Sequence, residues 1–446
     1  MLAVLEVVVR QLAWPADVDW EIVQDNDADT DEEIAAFYAM RKSFRSTMDN
    51  IAAIDKSLHT EVVANIVVNT LQTLSAQGVG AVTWQEAELA AYLVHTFGEI
   101  SKSNTRAAFW DLPPEVLSKT QLKGSRSSGK AGDATMASGQ STPTGSGDVA
   151  LSGMDANGKI DFEQFPLTPL GELLTLCMSS GLAAYPHPSV QLLFFEISVR
   201  YIDFWKAKPG AIQPIFESLL DSRGIHHSVE GVRRRAFYLL SRLIKDCRVE
   251  MDANMIPIIL EALKDMLVIN PVLPDVDTPE EDVLLKATNT KSYFQDQLHL
   301  FEAAGVLVYL TRSDPSSQMN FLAAIAGPLM TGIGTGLEQY RQNPSNLLTV
   351  LSVHHHLLAL GHFAKGFPPV SDDQIEAQSY QQPFKQMTEA LLEALGVMKT
   401  QRIIRDSVSG AREIDLTPRP ALRSRSLCRR SERRLRSLSP ALSSRS

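Results

Sequence analysis

From Pro186 to Met398, amphipathic helical segments follow one another in pairs, with no strand signal between them. A helix pair of this kind cannot bury its apolar stripe alone and must pack it on the next pair. The chain is therefore expected to be all-α, a HEAT-repeat α-solenoid in which antiparallel helix pairs stack as a superhelix. The stripes are legible one by one. Val190, Leu193, Phe194, Ile197, Val199, Tyr201, Ile202 and Phe204 fall in one run, spaced mostly by three and four. Ile212, Ile215, Phe216, Leu219 and Leu220 form the next. Beyond Gly224, the stripe of Ala236, Phe237, Leu240, Leu243, Ile244 and Cys247 is answered by Ile256, Ile259, Leu260, Leu263 and Leu267. Each pair takes about 40 residues, the HEAT or armadillo period. Further helices are expected from Leu298 to Leu310, Phe321 to Leu337, Leu347 to Phe363 and Met387 to Met398. Upstream, Phe37, Met40, Phe44, Met48, Ile51 and Ile54 mark one helix, and Val62 to Leu74 and Glu86 to Phe97 two more.

Composition divides the chain. Helical repeats are expected over 1–122, interrupted by an acidic loop at 17–33. That loop holds Asp17, Asp19, Glu21, Asp25, Asp27, Asp29, Asp31, Glu32 and Glu33 and no basic residue. Carboxylates before a first helical turn suit the helix dipole, so the segment reads first as a solvated loop and second as a contact for a basic partner. Residues 123–158 turn to Gly, Ser and Thr, too apolar-poor to offset ordering, and form an expected disordered insertion. Repeats resume over 159–410. The end, 417–446, carries nine arginines among serines against the single acid Glu432, so the rest of the chain is more acidic than the overall net charge of −10. It reads as a disordered tail where a further repeat should follow, although such a tail also attracts RNA.

Several classes of function are disfavoured. The cysteines Cys177, Cys247 and Cys428 are too few and scattered for a disulfide framework or a zinc site, which fits a reducing compartment. No stretch approaches a continuous apolar run of about 18 residues, so no membrane-spanning helix is expected. Met1 to Val9 is apolar, but Glu6 and Arg10 break it, and it resembles a solenoid helix cut in the middle more than a signal peptide. Gly124 to Lys130 spells most of a phosphate-binding loop, but Ala131 stands where the magnesium-ligating hydroxyl belongs, and low-complexity sequence surrounds it. Asp155 to Phe165 imitates half of a calcium loop, with Gly153 and Gln164 where the terminal carboxylates are required. His354, His355 and His356 are consecutive and cannot converge on one metal from a helix. Gly332, Gly334 and Gly336 lack dinucleotide spacing. No catalytic constellation, cofactor site or metal site is expected.

The basic helix from Val232 to Arg248 is the better lead. With Ala236, Leu240, Leu243 and Cys247 at the core, Arg234, Arg242 and Lys245 are expected to project outward, with Arg235 on the flank and Arg233 at the apolar edge. Four such groups over about 16 Å of helix can follow a phosphate backbone. Equally, they form an ordinary solvated face paired with local acids such as Asp246 and Glu250, where ion pairs contribute little.

These residues resemble a family. The stretch from Asp19-Trp20-Glu21 through Glu32 to Asp55 looks like a nuclear exportin of the importin-β superfamily. His187 to Trp205 and Val229 to Arg248 resemble exportin-T, the tRNA exportin, most closely in its fungal form. Asp296 to Leu310 and Leu358 to Pro368 are similar to blocks that follow in the same order in that family. The resemblance covers roughly 1–410. It implies a HEAT solenoid that wraps tRNA together with a GTP-bound Ran-type GTPase, meets nuclear pore proteins, and shuttles as a monomer between nucleus and cytoplasm without membrane insertion, cofactor or chemistry of its own. GTP hydrolysis on the partner would release the cargo, a differential-affinity switch. Shape-led contact with a structured RNA suits such a surface. Members of that family are about twice as long, so the chain looks like an internal fragment or an incomplete gene product. Two other functions share the scaffold: an exportin or importin for protein cargo, and a HEAT scaffold that never meets RNA.

Overall fold

A computed structural model describes residues 1–16, 18, 32–98, 108–114, 116, 160–208, 210–275, 282–289, 292–368, 382–389, 392 and 396–397. The insertion at 123–158, most of the acidic loop at 17–33, Cys428 and the tail at 417–446 lie outside them. Among the described residues the regular structure is helical, and the single strand-like feature is an isolated antiparallel bridge between Trp110 and Leu167. The helices are α1 (Leu2–Gln11), α2 (Glu32–Ile54), α3 (Lys56–Gln77), α4 (Trp84–Phe97), α5 (Pro169–Ser179), α6 (Pro188–Arg200), α7 (Ile212–Leu220), α8 (Glu230–Asp246), α9 (Met255–Leu263), α10 (Val283–Asn289), α11 (Tyr293–Leu310), α12 (Pro315–Gln342) and α13 (Leu347–Lys365). The chain divides into two compact units, Met1–Ser218 and Leu219–Ser446.

Local sequence sets the helix starts. Thr83 opens α4 with a capping box: its hydroxyl accepts from the Glu86 amide at 3.3 Å, and its own amide donates to the Glu86 carboxylate at 2.8 Å. Thr168 caps α5 and Asp314 caps α12, each ahead of a proline whose missing N–H costs nothing in a first turn. Asn346 caps α13 through the amides of Leu348 and Thr349.

In the first unit, α2, α4 and α6 run in the same direction. Arg41 of α2 meets Glu88 near the start of α4, and Arg45 and Asp49 lie further on, across from Tyr92 and Thr96. Trp84 at the start of α4 stacks on His187 at the start of α6, with centroids 4.1 Å apart. At the other end, Tyr201 after α6 donates to the His95 carbonyl at 2.8 Å and accepts from the Gly98 amide at 3.1 Å. It thereby satisfies groups that the end of α4 leaves unpaired. Helix α3 runs the opposite way, since His59 near its start faces Phe97 at the end of α4. α5 packs on α3 and α4.

The second unit repeats this plan. α8, α11 and α13 are parallel: Arg234 and Lys245 of α8 reach Asp296 and Glu302 of α11, and Phe294 and Glu302 of α11 reach His355 and His362 of α13. α9 is antiparallel to α8 and α11, because Ala262 at its end meets His226 before α8, and Met266 beyond it meets Gln297 of α11. α12 is antiparallel to both neighbours, with Gln318 near its start bonded to the Val308 carbonyl near the end of α11, and Gly336 lying over Val353. Alternating helix direction of this kind is what a HEAT-repeat fold requires.

The stripe of α8 is as expected: Ala236, Phe237, Leu240, Leu243, Ile244 and Cys247 are all buried. Some expectations need correction. The period is longer than 40 residues, since 63 separate the starts of α8 and α11, and 54 those of α11 and α13. The extra chain after α9 forms α10 and its flanking loops. The run from Val190 to Phe204 is broken at Tyr201, where φ is −104° and ψ 34°, and continues as a single turn, Ile202–Trp205. Ile54, the last apolar residue of the α2 pattern, is 76 % exposed at the end of its helix. α12 and α13 are long enough and, at mean hydropathy 1.2 and 1.3, apolar enough to cross a bilayer, contrary to expectation. Both pack on α11 and on each other, with 33 % of the apolar window buried in α12 and 50 % in α13.

Candidate nucleic-acid interface

Helix α8 is amphipathic, with Glu230, Arg235, Tyr238 and Arg242 exposed on its wet side. Everything else along its middle is buried or turned to a neighbour. The four basic residues expected to share one open face divide into two kinds. Arg235 and Arg242 are exposed. Arg234 is turned toward α11, where its Nε donates to Asp296 at 2.6 Å and its side chain is only 11 % exposed, with Glu230 at 3.8 Å. Lys245 lies on the same side, 2.9 Å from Glu302, and is half-buried. The correction has a simple cause. Residues 234 and 245 sit three turns apart on the α8 edge that faces the parallel α11, and α11 presents Asp296 and Glu302 at matching height. Arg233 donates to the carbonyls of His227 and Ser228, tying the turn before α8 to its first turns.

The exposed pair carries an aromatic residue between them. The Arg235 guanidinium lies 4.8 Å from the centre of the Tyr238 ring. Tyr238 in turn meets the His299 imidazole of α11 edge to face, with centroids 5.3 Å apart. Arg242 donates to Asp246 at 2.7 Å, and this bond, with a smaller share from the Tyr238 hydroxyl, pushes its already high pKa further up. Burial pushes the His299 pKa down, so its ring is neutral at pH 7, held against opposing charges on Asp296, Lys245, Glu302 and Arg235. The row therefore offers two permanent cations, one exposed phenol ring and a neutral imidazole. It can bind anions and aromatic faces, and no nucleophile or base in it is set up for bond-breaking.

Tyr238 and His299 were not singled out from the sequence. A tyrosine between buried Phe237 and Leu239 reads as part of the core until the helix phase is drawn, which places it at i+3 from Arg235 and i−4 from Arg242.

The phosphate-loop imitation and most of the calcium-loop imitation are outside the described residues. Asp161, from the end of the latter, caps a short turn over Glu163 while Phe162 packs against Trp110. His355 is buried and stacks on Phe294 at 3.7 Å, and its pKa is pushed down to about 3, mainly by burial. His354 and His356 are half-buried. No cluster of metal-ligating side chains occurs among the described residues. Cys177 and Cys247 are buried.

Paired helices of alternating direction among the described residues define the chain as a HEAT-repeat protein. The family model for Exportin-T matches residues 1–123 and 147–413, and this chain belongs to the Exportin-T family. It is 36 % identical over 383 residues to an Exportin-T of Mycosarcoma maydis, covering 84 % of this chain and 32 % of that protein. Over 409 residues it is 34 % identical to an Exportin-T of Laccaria bicolor, covering 91 % and 35 % respectively. For the Exportin-T of Coprinopsis cinerea the identity is 33 % over 414 residues, covering 91 % and 34 %. The chain thus spans about a third of the length of these relatives, not half.

Proposed function

We propose that this chain takes part in exporting tRNA from the nucleus, binding it together with a GTP-bound Ran-type GTPase and giving it up in the cytoplasm when the GTP is hydrolysed. The observation that supports this most is the family match across nearly the whole chain. In this proposal the protein shuttles through the nuclear pore, makes contacts with pore proteins, and performs no chemistry. The RNA meets the outer row of α8. Arg235 and Arg242 contact phosphates, Arg242 in competition with its Asp246 partner, while Arg234 and Lys245, turned to carboxylates of α11, contribute less. Such a surface would hold RNA through backbone shape and charge, as folded RNA generally requires.

Filter binding of tRNA to the chain, with the GTPase loaded with GTP or with GDP, tests the proposal. Salt-sensitive retention that is stronger with GTP is expected. The double variant Arg235→Glu/Arg242→Glu should weaken retention and lower the slope of log affinity against log salt by roughly two. Retention of a protein cargo but not tRNA under the same GTP dependence would point instead to a protein-carrying receptor. Absence of any GTPase dependence would leave only a scaffold.

A further inference from the structure

Tyr238 is a large aromatic side chain on the wet side of α8, 36 % exposed, in a helix that has already filled its core with Phe237, Leu239 and Leu240. Its covered surface rests on the Arg235 guanidinium and the His299 ring. Its surroundings are those of a stacking platform. The guanidinium of Arg235 lies over one face of the ring, His299 closes one edge, and Arg242, hydrogen-bonded to Asp246, follows one turn later. The two arginines are separated by about 10 Å along the helix, with the phenol between them. A cation, a ring and a second cation in a row match a single-stranded nucleotide chain, whose phosphates and base faces alternate.

From this arrangement, and resting on the RNA reading above, we infer that Tyr238 stacks on an unpaired nucleobase of the bound RNA while Arg235 and Arg242 hold the phosphates on either side of it. The contact is a positioning one. It is tolerant of base identity, because every base offers an aromatic face. It is closed to paired RNA, whose base faces are already stacked within the helix. Tyr238 would therefore distinguish an RNA with an accessible single-stranded segment from a continuous duplex. The arginines alone do not, since a phosphate contact carries no such information.

The test compares two probes, a blunt RNA duplex and the same duplex with a short single-stranded 3′ overhang. Binding of each to the chain is measured as a function of salt. The unaltered chain should prefer the overhang probe. Tyr238→Ala should lose about tenfold in affinity for that probe alone. The salt slope should not change, because no phosphate contact is removed. Tyr238→Phe keeps the ring and should bind as the unaltered chain does. Circular dichroism should show unchanged helix content in both, as expected for a residue outside the core. No loss on the overhang probe, or an equal loss on both probes, overturns the base contact and leaves the phosphate contacts standing. If Arg235→Glu/Arg242→Glu leaves both probes unaffected, the RNA reading of this face fails as a whole.

Discussion

At the residue scale, the least expected feature is charge in the core. Arg41 and Glu88 are 5 % and 2 % exposed, joined by two hydrogen bonds of 2.8 and 2.6 Å. Tyr92 lies under the guanidinium at 3.9 Å, and Phe37 and Trp14 flank it. The fork of an arginine matches a carboxylate in this way and tolerates aromatic faces on its flat sides. Removing one partner strands the other's charge in an apolar surround. Glu88→Ala should therefore destabilise the first unit by about 3–5 kcal/mol, whereas the double replacement Arg41→Met/Glu88→Leu should cost far less. Urea unfolding of the variants decides it. A double variant as unstable as the single one would show that the pair itself contributes net stability. Arg41 falls on the apolar side of α2 in helical phase with Ile34, Phe37 and Met48. Its partner stands 47 residues away on another helix, beyond the reach of helical periodicity.

At the element scale, glycines decide how closely helices approach. A methyl group on Gly305 of α11 would strike the Phe363 carbonyl of α13, and one on Gly366, just past α13, would strike the Glu302 carbonyl and the Val306 amide. These obstacles are backbone and cannot swing aside. Gly305→Ala should therefore push α11 and α13 apart and cost about 1–3 kcal/mol. Gly334 on the open side of α12 has nothing within 4 Å of an added methyl. There, Gly334→Ala should stabilise by up to about 1 kcal/mol, because alanine is the better helix former. Thermal unfolding should move in opposite directions for the two variants, and a shift of the same sign would refute the packing account. The sequence spaced both glycines alike along apolar helices, and only the neighbouring helix separates the crowded one from the open one.

At the scale of the whole molecule, the chain is a net-acidic protein with a small basic face. A net charge of −10 gives no long-range attraction for RNA in general. If tRNA and the GTP-loaded GTPase bind cooperatively, each must raise the other's affinity by the same factor. Titrating tRNA at saturating GTPase, and GTPase at saturating tRNA, should give equal ratios. Unequal ratios at equilibrium, or a ratio of one in both, would remove cooperative loading from the proposed function.

Helix existence, the apolar stripes and the family resemblance were all written in the chain order. They rest on short-range periodicity: whether Leu240 and Leu243 face inward is settled by 3.6 residues per turn, within a single helix. The helix starts at Thr83, Asp314 and Asn346 are legible for the same reason, since a cap is made by residues three positions apart. What Arg234, Lys245 and Tyr238 do was not legible. Their fates depend on the register between α8 and α11, whose paired residues stand 57 to 62 positions apart, and the free energy of a charge depends on whether a carboxylate or water is beside it. Periodicity assigns a side to each residue, but only the packing of parallel helices decided that Arg234 and Lys245 face acids of a neighbouring helix, while Arg235, Tyr238 and Arg242 lie exposed, with Arg242 paired to Asp246 of its own helix.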